Sequence, residues 1–187
     1  MGILDDDGLE AVSLRAVAKA LDVRMNTVSW HVGTKSRLSE LMADAVLAEI
    51  PLEGLPTDWR ARLHKLSSRY RKALLAHRDG AALVAGTYPV RGNTFRIGEE
   101  FVSCLLDGGC DERDSAWACW TIIYFTLGLV QEEQGAPEQV RPVFGGDVSE
   151  TDYPALGRVM QHLTDGRFDE RHRFGLDLIL SALPVGN

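Results

Sequence analysis

Arg24, Met25, Asn26, Thr27, Ser29, Trp30 and His31, followed by Lys35, gather donors, acceptors and flat rings into one short segment. Cationic groups of this kind neutralise phosphates, amide and hydroxyl groups hydrogen-bond base edges, and rings pack beside them. Displayed on one face of a helix, the set suits the major groove of double-stranded DNA. Ser13 and Arg15, just upstream, complete the candidate DNA contacts.

The distribution of charge agrees with this reading. The chain of 187 residues carries a net charge of −7, which as a whole disfavours nucleic acid. Within 13–37, however, Arg15, Lys19, Arg24, Lys35 and Arg37 stand against the single acid Asp22. A basic head on an acidic body still attracts phosphates, and the body's repulsion of DNA helps to orient the head.

Such a head requires two short helices and a tight turn. Ser13 can cap a helix whose apolar Val17, Ala18 and Leu21 recur at helical spacing. Asp22-Val23 interrupts that face, a second helix starts near Met25, and Val28 and Val32 dock it on the first. Upstream, 1–11 reads as the end of a helix closed by Asp7-Gly8. Downstream, 36–50 places Leu38, Leu41, Met42, Ala45 and Val46 on one face and stops at a linker bounded by Pro51 and Pro56. Further periodicity predicts helices over 59–77, near 81–84, and over 94–106, 115–133, 154–163 and 168–183. Gly108-Gly109 is a stop, and 134–153 has no clear period and reads as a loop. No alternating run is long enough for a sheet, so the fold class is all-α.

The Trp30-His31 pair with Lys35 opening the next helix resembles the DNA-binding domain of the TetR family of bacterial transcriptional regulators. The resemblance continues through His77-Arg78-Asp79-Gly80-Ala81, Gly86-Thr87-Tyr88-Pro89, Phe125-Thr126-Leu127-Gly128 and the run from Phe174 to Leu180. It implies a three-helix helix-turn-helix DNA-binding domain over 1–35, a connecting helix over 36–50 and a helical effector-binding and dimerisation domain over 51–187. In the family the first helix starts further upstream, so only part of it is expected in this sequence.

The implied function is a repressor that binds a palindromic operator as a homodimer and is released by a small molecule. In the family the eighth and tenth helices pair across a two-fold axis. Candidates here are Ile123, Leu127 and Val130, facing Phe174, Leu176, Ile179, Leu180 and Leu183. The same stripe could instead cover the monomer's own core.

Trp117, Trp120, Thr121, Tyr124 and Phe125 recur at helical intervals and offer flat apolar area with polar handles, as a ring-shaped ligand requires, although an ordinary aromatic core has the same spacing. The resemblance adds Leu66, Tyr70, Val84, Thr87, Glu100 and Glu132 to the effector site. In the family's tetracycline-responsive members a histidine three residues before the threonine coordinates magnesium. Val84 stands there, and an isopropyl group cannot ligate a cation that demands hard donors. Leu66 replaces an asparagine that hydrogen-bonds the drug, and Tyr70 a phenylalanine, while Thr87 and Glu132 are retained. The expectation is therefore an apolar or aromatic effector bound without metal or cofactor. The alternatives are a tetracycline-like drug, or a small-molecule binding protein whose head is vestigial.

Other classes find little support. No nucleophile stands beside an orienting base, and the neighbouring acids Glu99-Glu100 and Glu132-Glu133 diverge on a helix, so no enzyme is expected. His162 and His172 read as isolated near acids, and His77 as structural at a helix end. Three cysteines without a CxxC pattern suit a reducing compartment, so a cytoplasmic location is expected. The longest nearly apolar run, 119–130, is well short of the roughly 20 residues that cross a bilayer.

Overall fold

The computed structural model describes residues 1–87, 92–136 and 151–183. Helix α1 (Gly2–Asp7) and a 3-10 turn (Leu9–Ala11) lead into α2 (Leu14–Ala20), α3 (Met25–Val32) and α4 (Lys35–Ala48). Ser13 caps α2 by accepting from the Ala16 amide at 3.1 Å, and Thr34 caps α4 by accepting from Arg37 at 3.1 Å. Between α2 and α3 the chain reverses through Asp22 at φ 51°, a left-handed conformation that aspartate tolerates better than most residues. Ala18 and Val28 are buried where α2 meets α3. Leu21, expected on the same face, is 64 % exposed, because α2 ends at Ala20 and the chain turns away there.

The body follows as α5 (Trp59–Leu75), α6 (Gly80–Ala85), α7 (Gly92–Asp107), α8 (Glu112–Gly135), α9 (Pro154–Leu163) and α10 (Phe168–Ser181). These helices match the expected set within a few residues at each end. Of the expected loop over 134–153, Gln134 and Gly135 belong to α8, and 137–150 lies outside the described residues. Helix α8 is central and packs on α5, α6, α7 and α10. Its Ile122 and Val130 join Leu63, Leu66, Tyr70 and Leu74 of α5, Phe101 and Leu105 of α7, and Leu176 and Leu180 of α10. Each such apolar side chain contributes roughly 1.5–3 kcal/mol by leaving water.

Two glycines permit close approaches in this core. A Cβ on Gly80 would sit 2.2 Å from the Leu74 carbonyl oxygen, so only glycine lets α6 start against the end of α5. A Cβ on Gly175 would meet the Phe125 ring at 2.2 Å, which lets α10 lie directly on that ring. Helix α4 packs against α6 and α7 through Ala43, Val46 and Leu47. The apolar face expected for α4 is rotated accordingly, and Leu41 and Ala45 are exposed. Among the described residues no helix is long and apolar enough to cross a membrane.

Candidate nucleic-acid interface and effector site

The α2–turn–α3 unit holds Val28 inward, and helical geometry then turns Asn26, Thr27, Trp30 and His31 outward. All four are exposed, as are Arg15, Arg24, Met25 and Lys35, while Ser13 and Ser29 are half-buried. Trp30 is 81 % exposed and meets the His31 ring edge-on at 4.6 Å. The side chains of Arg15, Arg24, Asn26, Thr27 and Lys35 form no hydrogen bond or ion pair with another described residue. Their donors are thus available to phosphates and base edges, and the acids of the body lie elsewhere in the chain.

The candidate effector residues separate into two groups. Leu66, Tyr70 and Val84 are buried together in the core of the body, where Tyr70 meets Phe101 edge-on at 6.1 Å. Thr87 is half-buried and its Oγ1 donates to the Val84 carbonyl at 3.2 Å. Burial, with a smaller contribution from Cys119, pushes the Tyr70 hydroxyl well above its ordinary value, so it is a neutral donor at any physiological pH. Glu100 is half-buried and Glu132 is exposed.

Trp117, Trp120, Thr121 and Tyr124 lie on the outer face of α8 and are exposed, because Ala118, Ile122, Thr126 and Val130 occupy its inner face. Trp120 and Tyr124 stack at 5.3 Å, and the Arg113 guanidinium lies 4.7 Å above the Trp117 ring. An open groove of about 430 Å³ runs beside them, lined by Asp114, Trp117, Ala118, Thr121, Ile179, Ala182 and Leu183.

The candidate dimer residues are redistributed for the same geometric reason. Leu127, Val130, Leu176 and Leu180 are buried within this one chain, and Ile123, Ile179 and Leu183 are half-buried. Most of the stripe is therefore the core of the body. Phe174 alone of the set is largely exposed, at 67 %, and Leu178 shares the outer face of α10 with it.

His172 lies in a cluster that the sequence reading did not foresee. Its Nε2 lies 3.1 Å from Ser67 Oγ and 3.4 Å from Thr126 Oγ1, and its ring stacks on Phe125 at 5.9 Å. Thr126 donates to the Ile122 carbonyl at 2.8 Å, leaving its oxygen to accept within the cluster. Arg71, also buried, pairs with both oxygens of Glu133 and with Asp169. Burial first, and then the charges of Arg71 and His64, push the His172 imidazole down to about 4, so it stays neutral at neutral pH.

A family profile described as "Tetracyclin repressor-like, C-terminal domain" matches residues 51–185. The class E tetracycline repressor of Escherichia coli is 38 % identical over 135 residues, covering 71 % of this chain and 64 % of that protein. The class C repressor of Escherichia coli is 33 % identical over 188 residues, covering 97 % and 85 % of the two chains. Among solved structures, the TetR family protein ActR of Streptomyces coelicolor in complex with (S)-DNPA has a TM-score of 0.85 at 26 % identity, covering 96 % of this chain and 90 % of that one. The solvent-facing helix α3, the helical body beneath it and these relatives agree, and the chain belongs to the TetR family of transcriptional regulators.

Proposed function

We propose that the chain is a transcriptional repressor that binds a palindromic DNA operator as a homodimer and is released by a small organic molecule. The observation that carries the DNA reading is the exposed, unpartnered donor set of α3 with Lys35 beside it. Two such heads joined by a two-fold axis reach half-sites about one helical turn apart, roughly 34–36 Å. The joining surface is the outer face of α8 and α10, where Trp117, Trp120, Tyr124, Phe174 and Leu178 leave apolar area exposed. Partner and mechanism involve no catalysis or cofactor, and the protein acts in the cytoplasm, where its DNA is.

The effector site is the cluster of Leu66, Tyr70 and Val84, which is packed in the core of the body and parts to admit the molecule, with the Tyr70 hydroxyl and Thr87 as polar handles. These side chains suit an apolar or aromatic molecule, and the ActR complex supports a small-molecule effector for this architecture. The coupling to DNA runs through α7. Its Phe101 touches Tyr70, while its first turn holds α4, with Asn93 bonded to both carboxylate oxygens of Asp44 at 3.1 and 2.8 Å. Arg96 of the same turn donates to the carbonyls of Leu47 at 3.1 Å and Ile50 at 3.2 Å. An effector that favours another position of α7 thereby moves α4 and changes the spacing of the heads.

Selection of genomic fragments on the purified chain, followed by mobility shift, tests this reading. A shared palindromic sequence is expected among the fragments retained. Absence of any sequence preference would instead favour a small-molecule binding protein with a vestigial head. The names of the curated relatives favour a second reading, release by a tetracycline-type drug. Val84 and Leu66 oppose it, so titration with tetracycline and magnesium is expected to give nothing tighter than roughly micromolar. Nanomolar, magnesium-dependent binding would establish the drug as effector.

A further inference from the structure

Three consecutive side chains at the α5–α6 corner grip the start of the head. His77 Nδ1 lies 2.9 Å from Asp5 Oδ1, Arg78 donates to the Asp6 carbonyl at 2.8 Å, and Asp79 accepts from the Leu9 amide at 2.8 Å. The other nitrogen of the same imidazole, Nε2, lies 3.0 Å from Glu49 Oε1 at the end of α4. The ring is only 8 % exposed. The corner itself is pinned from α8 by Gln134, whose amide donates to the carbonyls of His77 at 2.8 Å and Leu74 at 3.2 Å.

Ionised carboxylates only accept hydrogen bonds, and a neutral imidazole has one donor. A neutral His77 would hold one carboxylate and turn a lone pair toward the other. Only the imidazolium donates to both, through bonds strengthened by charge. We propose that His77 is a proton-operated latch: protonated, it ties α1 and the end of α4 to the body, and on losing its proton it releases one of them and frees the head to move. The charged groups facing it are Asp5 from α1, Glu49 from α4, and Arg78 and Asp79 from its own corner, the last two engaged with the Asp6 carbonyl and the Leu9 amide; α8 contributes the uncharged Gln134. Burial works against the charge, but the hydrogen bonds to Asp5 and Glu49 outweigh it and hold the imidazole above its ordinary value.

The latch concerns the joint between head and body, and its test requires neither operator nor effector, so its failure is distinct from failure of the proposed function. The full chain, isotopically labelled, is titrated by NMR, and its amide exchange is followed by mass spectrometry with correction for intrinsic rates. His77 is expected to carry protons on both nitrogens at about pH 6 and to titrate above the free value of about 6.5; the Asp5→Asn, Glu49→Gln double variant is expected to titrate lower. Between about pH 6 and about pH 9, either segment 2–12 or the end of α4 over 46–50 is expected to lose protection about tenfold relative to α8. His77→Gln should abolish that difference. A singly protonated ring at about pH 6, constant protection in the wild type, or the same profile in His77→Gln would overturn the latch. Should His77→Gln fail to fold, the titrations of the wild type and the double variant decide the question alone.

Discussion

His172 and His77 respond to pH in opposite senses, and the difference follows from what each ring touches. His172 faces hydroxyl groups and an aromatic ring, with Arg71 close by, so the folded chain depresses its value to about 4. A histidine kept neutral in the fold contributes stability fully above the unfolded value of about 6.5, and that contribution is lost as pH falls toward 4. The loss amounts to something on the order of 3 kcal/mol. Urea unfolding at a series of pH values should show this acid limb, and His172→Gln should flatten it; an equal acid slope in the variant would count against the assignment. His77, held above its ordinary value between two carboxylates, contributes stability below the unfolded value and loses it as pH rises through the folded one. None of this was legible in the sequence for His172, since its partners Ser67 and Thr126 stand far away in the chain and are near-neutral markers of any helix.

Helices were legible where caps and turns coincide with periodicity. Ser13 and Thr34 cap α2 and α4 as short polar residues should, Asp22 turns the chain after α2 in a left-handed conformation, and the outward face of α3 follows from the burial of Val28 alone. Helix α8 was legible as a helix but not in its orientation. It is apolar on two sides, Ile122 and Val130 on one and Trp117, Trp120 and Tyr124 on the other, and a period of 3.6 does not say which side meets its own chain. Packing turns the smaller side chains inward and leaves Trp117, Trp120 and Tyr124 exposed, with Trp117 lining the open groove. At α3 the expected chemistry can be divided between positioning and readout. Lys35→Ala should weaken binding to all DNA sequences alike and reduce the salt slope by about one phosphate. Asn26→Ala and Thr27→Ala should instead change base preference, by about 1–3 kcal/mol per contact. Unchanged binding in all three variants would remove α3 from the interface.

At the scale of the whole molecule, the basic segment 13–37, the buried cluster of Leu66, Tyr70 and Val84 and the exposed aromatic face of α8 belong to one proposed two-fold assembly. The buried and exposed members of the C-terminal stripe separate assembly from folding. Leu176→Asp places a charge in the core of a single chain, which costs several kcal/mol and should unfold it. Phe174→Glu changes an exposed residue, so helical circular dichroism should persist while the assembly dissociates to monomers. Whether two heads read one palindrome as a unit is decided by sedimentation of the complex with a selected operator fragment. Two chains are expected on each palindromic site, with Phe174→Glu reducing affinity and dimer mass together. One wild-type chain bound tightly to the full palindrome, with no second chain recruited, would contradict it.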